Sequence, residues 1–376
     1  MRVWLLYQHL NRIVKIRHLC QLNFLFTSMQ KESTPNINPL LRATARKKLP
    51  SAEIMVKEIL KGNRVALSQA ITLIESTKPE HQQIGQEIIT GCLPKSNQSI
   101  RIGVTGTPGV GKSTFIEAFG MHVLDNHRRL AVLAIDPSSQ ISKGSILGDK
   151  TRMPKLTVHP RAYIRPSPAG DSLGGVARKT RETIIMCEAA GFDTIIIETV
   201  GVGQSETAVH SMTDFFLLLL LPGAGDELQG IKRGIVEMAD LLAVNKADGD
   251  REMLARQAKV YYQNALHLFP VKDSGWIPQV LTCSALSGMG VSDIWSLILD
   301  FERHTKANGT FALNRGSQSL YWMQESIRQA VLNQFYANPS VQSQIADLEM
   351  QVLSGKSSPF QVAEKLLGLF HSDSNI

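Results

Sequence analysis

The chain has 376 residues, 43% hydrophobic and 19% charged, which excludes a largely disordered polypeptide and suits one large α/β domain with helical additions, or two domains. Its formal net charge of +7 does not describe a nucleic-acid surface. Much of that charge sits in the first 50 residues, where Arg2, Arg12, Lys15, Arg17, Lys31, Arg42, Arg46, Lys47 and Lys48 face only Glu32.

The first 28 residues contain no acidic residue and are amphipathic with several arginines. Two readings fit: a mitochondrial transit peptide, or an upstream extension with initiation at Met29. The second places the protein in the cytoplasm, the first in the mitochondrial matrix. Residues 1–37 are set aside as a basic N-terminal extension. Residues 38–95 are expected to be helical. SAEIMVKEILKG carries Ser51 as N-cap, Glu53 in the first turn and Gly62 as the stop, and VALSQAITLIEST continues with apolar positions at helical spacing. LPKSNQS is a turn-rich boundary.

Residues 96–308 alternate strand and helix. The expected strands are IRIGVTG, LAVLAID, AYIRP, TIIIE, FFLLLLL, LLAVN and VLTCS, with helices at Lys112–Leu124 and Gly175–Ala190 among those between them. Near-continuous apolar strands joined by helical crossovers imply a doubly wound, mostly parallel sheet, with ligands at the carboxyl ends of its strands. FFLLLLL is far shorter than the about 20 residues of a membrane span, and fits a strand buried on both faces. No membrane association is expected. Residues 309–376 are a helical tail. Leu320, Met323, Ile327, Val331 and Phe335 recur at helical steps, as do Val341, Ile345, Leu348 and Val352, and then Val362, Leu366 and Phe370. These stripes suit packing on the chain's own core or a subunit interface.

Cys20, Cys92, Cys187 and Cys283 form no C-x-x-C pair, which argues against a disulfide framework or a thiolate metal site. Cys187 fits a helix core, and the histidines, His210 included, show no metal-ligand spacing.

GTPGVGKST fits the phosphate-binding pattern G-x-x-x-x-G-K-[ST] and follows a strand directly. Gly106, Thr107, Pro108, Gly109, Val110, Gly111, Lys112, Ser113 and Thr114 would cradle the phosphates. Lys112 would reach the β- and γ-phosphates, and the Ser113 hydroxyl would ligate Mg²⁺. LLAVNKAD then supplies Asn245, Lys246 and Asp248 at a strand end. The Asp248 carboxylate can accept from both N1–H and the 2-amino group of guanine, whereas adenine would leave it unpaired. Ser284 and Ala285 in TCSAL support the base from the next loop. This set favours GTP over ATP.

Asp136 and Glu198 end neighbouring strands and offer hard oxygen ligands for Mg²⁺, while Asp149 lies on a polar loop that can order over the γ-phosphate. Each carboxylate is otherwise a helix cap or turn former. Gly201 can give its N–H to the γ-phosphate, and Gln204 is a weaker candidate for orienting water. Arg152 and Lys232 are candidate catalytic charges, or else solvated surface charges.

GTPGVGKST, AIDPSSQISKGSILGDKTRM, AYIRPSPAGDSLGGVARKT, IIIETVGVGQSE, PGAGDELQGIKRGIVEMADLLAVNKADGD and TCSALSGMGV together resemble the MeaB/ArgK family of P-loop GTPases, from about Asn38 to the C-terminus. The resemblance implies a GTP-hydrolysing chaperone, cycling between GTP and GDP, of the cobalamin-dependent methylmalonyl-CoA mutase or a related acyl-CoA mutase. It implies gating of adenosylcobalamin transfer, protection or rescue of the mutase, and a homodimer formed through the C-terminal helices. It places Lys112 and Ser113 in their loop roles and Asp136, Asp149 and Glu198 in the Mg²⁺ and switch apparatus. The segment from Gly223 to Lys232 becomes a further switch facing the partner. Alternatives are a metallochaperone-type GTPase, which would call for a His- or Cys-rich tract, and a transport-linked kinase.

Overall fold

A computed structural model describes residues 50–135, 153–166, 173–199, 205–223 and 233–373. Three helices come first: α1 (Ala52–Leu60), α2 (Arg64–Glu75) and α3 (Pro79–Cys92). Ser51 caps α1 by accepting from the Ile54 amide, as its sequence position implied, and Gly62 follows with φ +80°. Asn63 caps α2, accepting from the Val65 and Ala66 amides.

Seven parallel strands follow among the described residues: β1 (Ile100–Gly106), β2 (Leu130–Ile135), β3 (Ala162–Arg165), β4 (Thr194–Thr199), β5 (Phe215–Leu220), β6 (Leu241–Val244) and β7 (Gln279–Thr282). Their order is β3-β2-β4-β1-β5-β6-β7. Each matches an expected strand within two residues. β5 shows why an unbroken apolar run can be a strand. Phe215, Leu217 and Leu219 enter one core, and Phe216, Leu218 and Leu220 enter the other. The first core includes α4 (Lys112–Asp125) and α10 (Val291–Ala307). The second includes α1 to α3, α6 (Leu173–Ala189) and α9 (Glu252–Leu266). Shorter helices α5 (Pro154–Val158), α7 (Ser205–His210) and α8 (Arg233–Met238) complete the crossovers. Cys187 is buried in the second core, as expected of a packing residue.

One charge lies inside β1. The Arg101 side chain is fully buried and grips Glu188 through two hydrogen bonds, Nε to Oε1 at 2.9 Å and Nη2 to Oε2 at 3.0 Å. Burial pushes the Glu188 carboxyl up, but the Arg101 charge and the hydrogen bonds from Arg101, Ser99 and Asn97 outweigh it and hold the group below the usual carboxylate range. A depressed carboxyl stabilises the fold fully above its unfolded pKa and loses that contribution as pH falls through the folded value. Replacing Glu188 by alanine leaves Arg101 buried without its partner. The expected loss is about 3–5 kcal/mol at neutral pH, measured by denaturant unfolding. The gap to wild type should narrow in acid.

The tail consists of α11 (Thr310–Ala337), α12 (Pro339–Leu353) and α13 (Pro359–Asp373). Arg315 fixes α11 to the amino end of the sheet through Asp214 and the Ser99 carbonyl. Gln318 and Trp322 donate to the carbonyls of Thr213 and Ser211. Val341, Leu348, Val362 and Leu366 pack together with Phe335, Ile345, Val352 and Phe370. That part of the tail covers itself. Leu320, Met323, Ile327 and Val331 remain half or more exposed, so the α11 stripe is not buried by the chain's own core. No helix among the described residues is long and apolar enough to cross a membrane.

Candidate nucleotide-binding site

The phosphate loop joins β1 to α4 at the carboxyl edge of the sheet. Three glycines shape it. At Gly106 an added Cβ would stand 2.5 Å from the Leu219 carbonyl oxygen, so the loop leaves the strand against its neighbour's backbone. Gly109 and Gly111 take φ of +80° and +92°, a left-handed conformation that side chains disfavour. Gly109 faces open space, which leaves room for a phosphate against the backbone. Val110 is buried in the core and anchors the loop from below. Pro108, Gly109 and Thr114 are exposed, while Thr107, Lys112 and Ser113 are half-buried.

Lys112 opens α4 and folds back over the loop. Its Nζ donates to the Gly106 carbonyl at 2.7 Å and to the Thr107 carbonyl at 3.3 Å. Burial lowers its pKa, and the charges of Glu198 and Glu206 oppose that shift. Ser113 Oγ donates to Glu198 Oε1 at 3.2 Å across the mouth of the loop. A hydroxyl and a carboxylate side by side at a helix N-terminus are a fitting donor set for a hard divalent cation. Glu206, on α7, was not picked out from sequence. Nothing in its local spacing marks it, because its charge acts on Lys112 from another element.

The second half of the site is built on β6 and β7. Asn245 directly follows β6 and connects three loops. Its Nδ2 donates to the Val110 carbonyl at 2.9 Å, and its Oδ1 accepts from the Ala285 amide at 3.1 Å. Lys246 has φ +60° and its Nζ donates to the Gly109 carbonyl at 2.7 Å. Both residues therefore hold the phosphate loop from the carboxyl end of β6. Asp248 is half-buried and makes no capping hydrogen bond to the short 3₁₀ turn that follows it, so its carboxylate is not taken up by local structure. A cavity of ≈ 250 Å³ lies here, lined by Gly111, Asn245, Lys246, Asp248 and Ser284 with Thr114, Ala285, Arg251 and Leu286. Ser284 is buried and its Oγ accepts from the Ser287 amide, which rounds the loop toward the cavity. Arg251 and Leu286 were missed from sequence, although each stands within three residues of a residue that was named.

The structure thus brings the GTPGVGKST loop, Glu198, Asn245, Lys246, Asp248, Ser284 and Ala285 to one edge of the sheet. Asp136, Asp149, Arg152, Gly201, Gln204 and Lys232 lie outside the described residues. Among the described residues no group of three or more His, Cys, Asp or Glu side chains could hold a metal ion by itself.

Because Asn245 bonds both the phosphate loop and the loop after β7 from a buried position, Asn245→Ala should act twice. Loss of its hydrogen bonds should lower stability by about 1–3 kcal/mol. Slackening of the phosphate loop should weaken nucleotide binding by about 10-fold or more. Calorimetric titration with GDP, together with thermal melting, separates the two.

Residues 67–340 match the model of the family described as "Methylmalonyl Co-A mutase-associated GTPase MeaB". The chain is 49% identical over 309 residues to "Probable GTPase Rv1496" of Mycobacterium tuberculosis (strain ATCC 25618 / H37Rv), covering 81% of this chain and 91% of that protein. It is 46% identical over 324 residues to "Methylmalonic aciduria type A homolog, mitochondrial" of Mus musculus, covering 84% and 78%. Among solved structures, one described as "Crystal structure of LAO/AO transport system kinase" matches with a TM-score of 0.68 and 36% identity, over 86% of this chain and 100% of that one. With a phosphate loop at the carboxyl edge of its parallel sheet and these relatives, the chain belongs to the MeaB family of P-loop GTPases.

Proposed function

We propose that this GTPase is a chaperone that gates adenosylcobalamin loading into methylmalonyl-CoA mutase, or a related acyl-CoA mutase, and protects or reactivates that enzyme. The observation that carries the reading is the Asn245 link between the phosphate loop and the base cavity, in a chain whose family is described by its association with this mutase. A nucleotide seated there touches both halves of the site at once. Its state can therefore be passed to whatever surface the flanking loops present.

In this reading Lys112 holds the β- and γ-phosphates and Asp248 reads the base. Lys246, Ser284 and Ala285 line the base side. Ser113 and Glu198, with Asp136 and Asp149, would hold Mg²⁺, which supplies charge neutralisation for phosphoryl transfer when bound. Arg152 and Lys232 would stabilise charge on the transferring group, and Gly201 would sense the γ-phosphate. Functional segments would run at 1–37, 38–95, 96–308 and 309–376. The exposed Leu320, Met323, Ile327 and Val331 stripe supports a homodimer through the C-terminal helices. The cytoplasm is the proposed location, and the mitochondrial name of the mouse relative supports the matrix as the alternative.

Co-purification with the mutase, and GTP turnover with and without it, test the proposal. Association together with changed turnover is expected. Neither association nor stimulation would overturn the mutase partnership. Phosphate appearing on a protein rather than in solution would instead favour the transport-linked kinase reading, which the name given to the similar solved structure raises.

A further inference from the structure

At the amino end of the sheet, opposite the nucleotide loop, three arginines converge. Arg101 is paired with Glu188 and Arg315 with Asp214. Both carboxylates are buried, and beside these partners Glu188 accepts from Ser99 Oγ and the Asn97 amide and Asp214 from the Arg101 amide, so all four oxygens are hydrogen-bonded. Arg181, on α6, lies within electrostatic reach of all four groups, yet its Nη1 is buried and finds no acceptor. Nη1 of Arg101 is in the same condition. Glu302 also acts on Arg315, but it is paired with Lys306 at 2.6 Å. The cluster therefore keeps one positive charge in excess, an arrangement that is expensive in a partly buried place unless an anion joins it.

A cavity of ≈ 280 Å³ opens beside Arg181, and its lining includes Ser96, Asn97, Ser319, Trp322 and Ser326 but no carboxylate. The Asn97 side-chain oxygen accepts from Arg101, so its NH₂ group is the end left for another partner. Ser319 gives its hydroxyl proton to the Arg315 carbonyl. Ser326 stands on the same face of α11, two turns further along. We propose that Arg181, Asn97 and Ser326 form a binding site for one small oxyanion of the phosphate or carboxylate class, seated where α6, the 96–97 segment and α11 meet. Burial and the neighbouring Arg101 push the Arg181 pKa down to about 10, which leaves the group charged at neutral pH. A bound oxyanion would accept from Arg181 and draw α6 and α11 together, so the anchoring of the helical tail on the GTPase core becomes anion-dependent. The site is separate from the nucleotide loop and does not rest on the mutase reading.

The test uses the full chain saturated with GDP. Thermal melting is followed against inorganic phosphate at constant ionic strength. Wild type should show a saturable rise in Tm. Arg181→Gln should bind phosphate at least about 10-fold more weakly, the loss of one charge-assisted pair. Without phosphate it should melt no lower than wild type, because the uncompensated charge is gone. Ser326→Glu brings its own carboxylate to the cavity. It should raise Tm in phosphate-free buffer and abolish the phosphate response. An equal phosphate response in wild type and both variants would assign the effect to the nucleotide loop and overturn the site. So would an Arg181→Gln Tm lowered by the same amount at every phosphate concentration. A Tm that rises with protein concentration but not with phosphate would mean that a second chain supplies the carboxylate, and would overturn the free-anion site.

Discussion

Lys112→Ala is expected to lower GTP turnover by on the order of 100- to 1,000-fold, the usual loss when one preorganised charge is taken from a transition state. The geometry explains the size of the effect. Lys112 Nζ already sits over the loop, held by the Gly106 and Thr107 carbonyls at 2.7 and 3.3 Å. A phosphate entering the cradle replaces neutral carbonyls with charged oxygens, and the ammonium gains strength as negative charge shifts during transfer. The carboxylates of Glu198 and Glu206 act to keep it protonated despite burial. Alanine removes all of this without disturbing the fold, since it is the strongest helix former and the position is the first of α4. Single-turnover release of phosphate at saturating GTP is the measurement, with thermal melting as the control. A variant that melts like wild type and turns over within a few-fold of it would show that this loop is not where GTP is hydrolysed.

The sheet was legible because its strands are buried on both faces. Runs such as Phe215–Leu220 leave helix and strand undecided by periodicity alone, but their length and the helical segments between them settle it. The phosphate loop was legible because its glycines answer to local backbone needs, which leave a mark in the sequence. Long-range pairings leave none. IRIGVTG shows an arginine in an apolar strand, yet only the fold reveals Glu188 as its partner, 87 positions away. In the same way the sequence marks Asn245 as part of a base-reading motif, but its bond to Val110 spans 135 positions. Glu206 and Arg251 join the site through the packing of α7 and of the turn after Asp248, so residue spacing could not single them out. The tail shows the opposite case. Its helical stripes were plain in the sequence, but which of them the chain buries depends on how α12 and α13 fold back on each other.

Asp248→Asn should exchange base preference, weakening GTP by about 100-fold or more and improving xanthosine triphosphate over the wild-type value. Hydrogen-bond parity drives the exchange. A carboxylate offers two acceptors, matching N1–H and the 2-amino group of guanine. Against xanthine, one of those acceptors meets the 2-oxo group, and two oxygen lone pairs oppose each other in a partly desolvated cavity. An amide keeps one acceptor for N1–H and turns an NH₂ toward the 2-oxo group, so xanthine becomes the matched base and guanine the mismatched one. Two features of the structure make the switch clean. Asp248 makes no capping bond that asparagine would have to reproduce, and its φ of −130° is ordinary for either residue. The phosphate loop is bonded to Asn245 and Lys246 and not to Asp248, so the change should appear in affinity for the base and not in the rate once nucleotide is bound. Competition between the two triphosphates, read by turnover at equal occupancy, separates these quantities. An unchanged preference for GTP would mean that another group of the cavity lining, such as Arg251, reads the base.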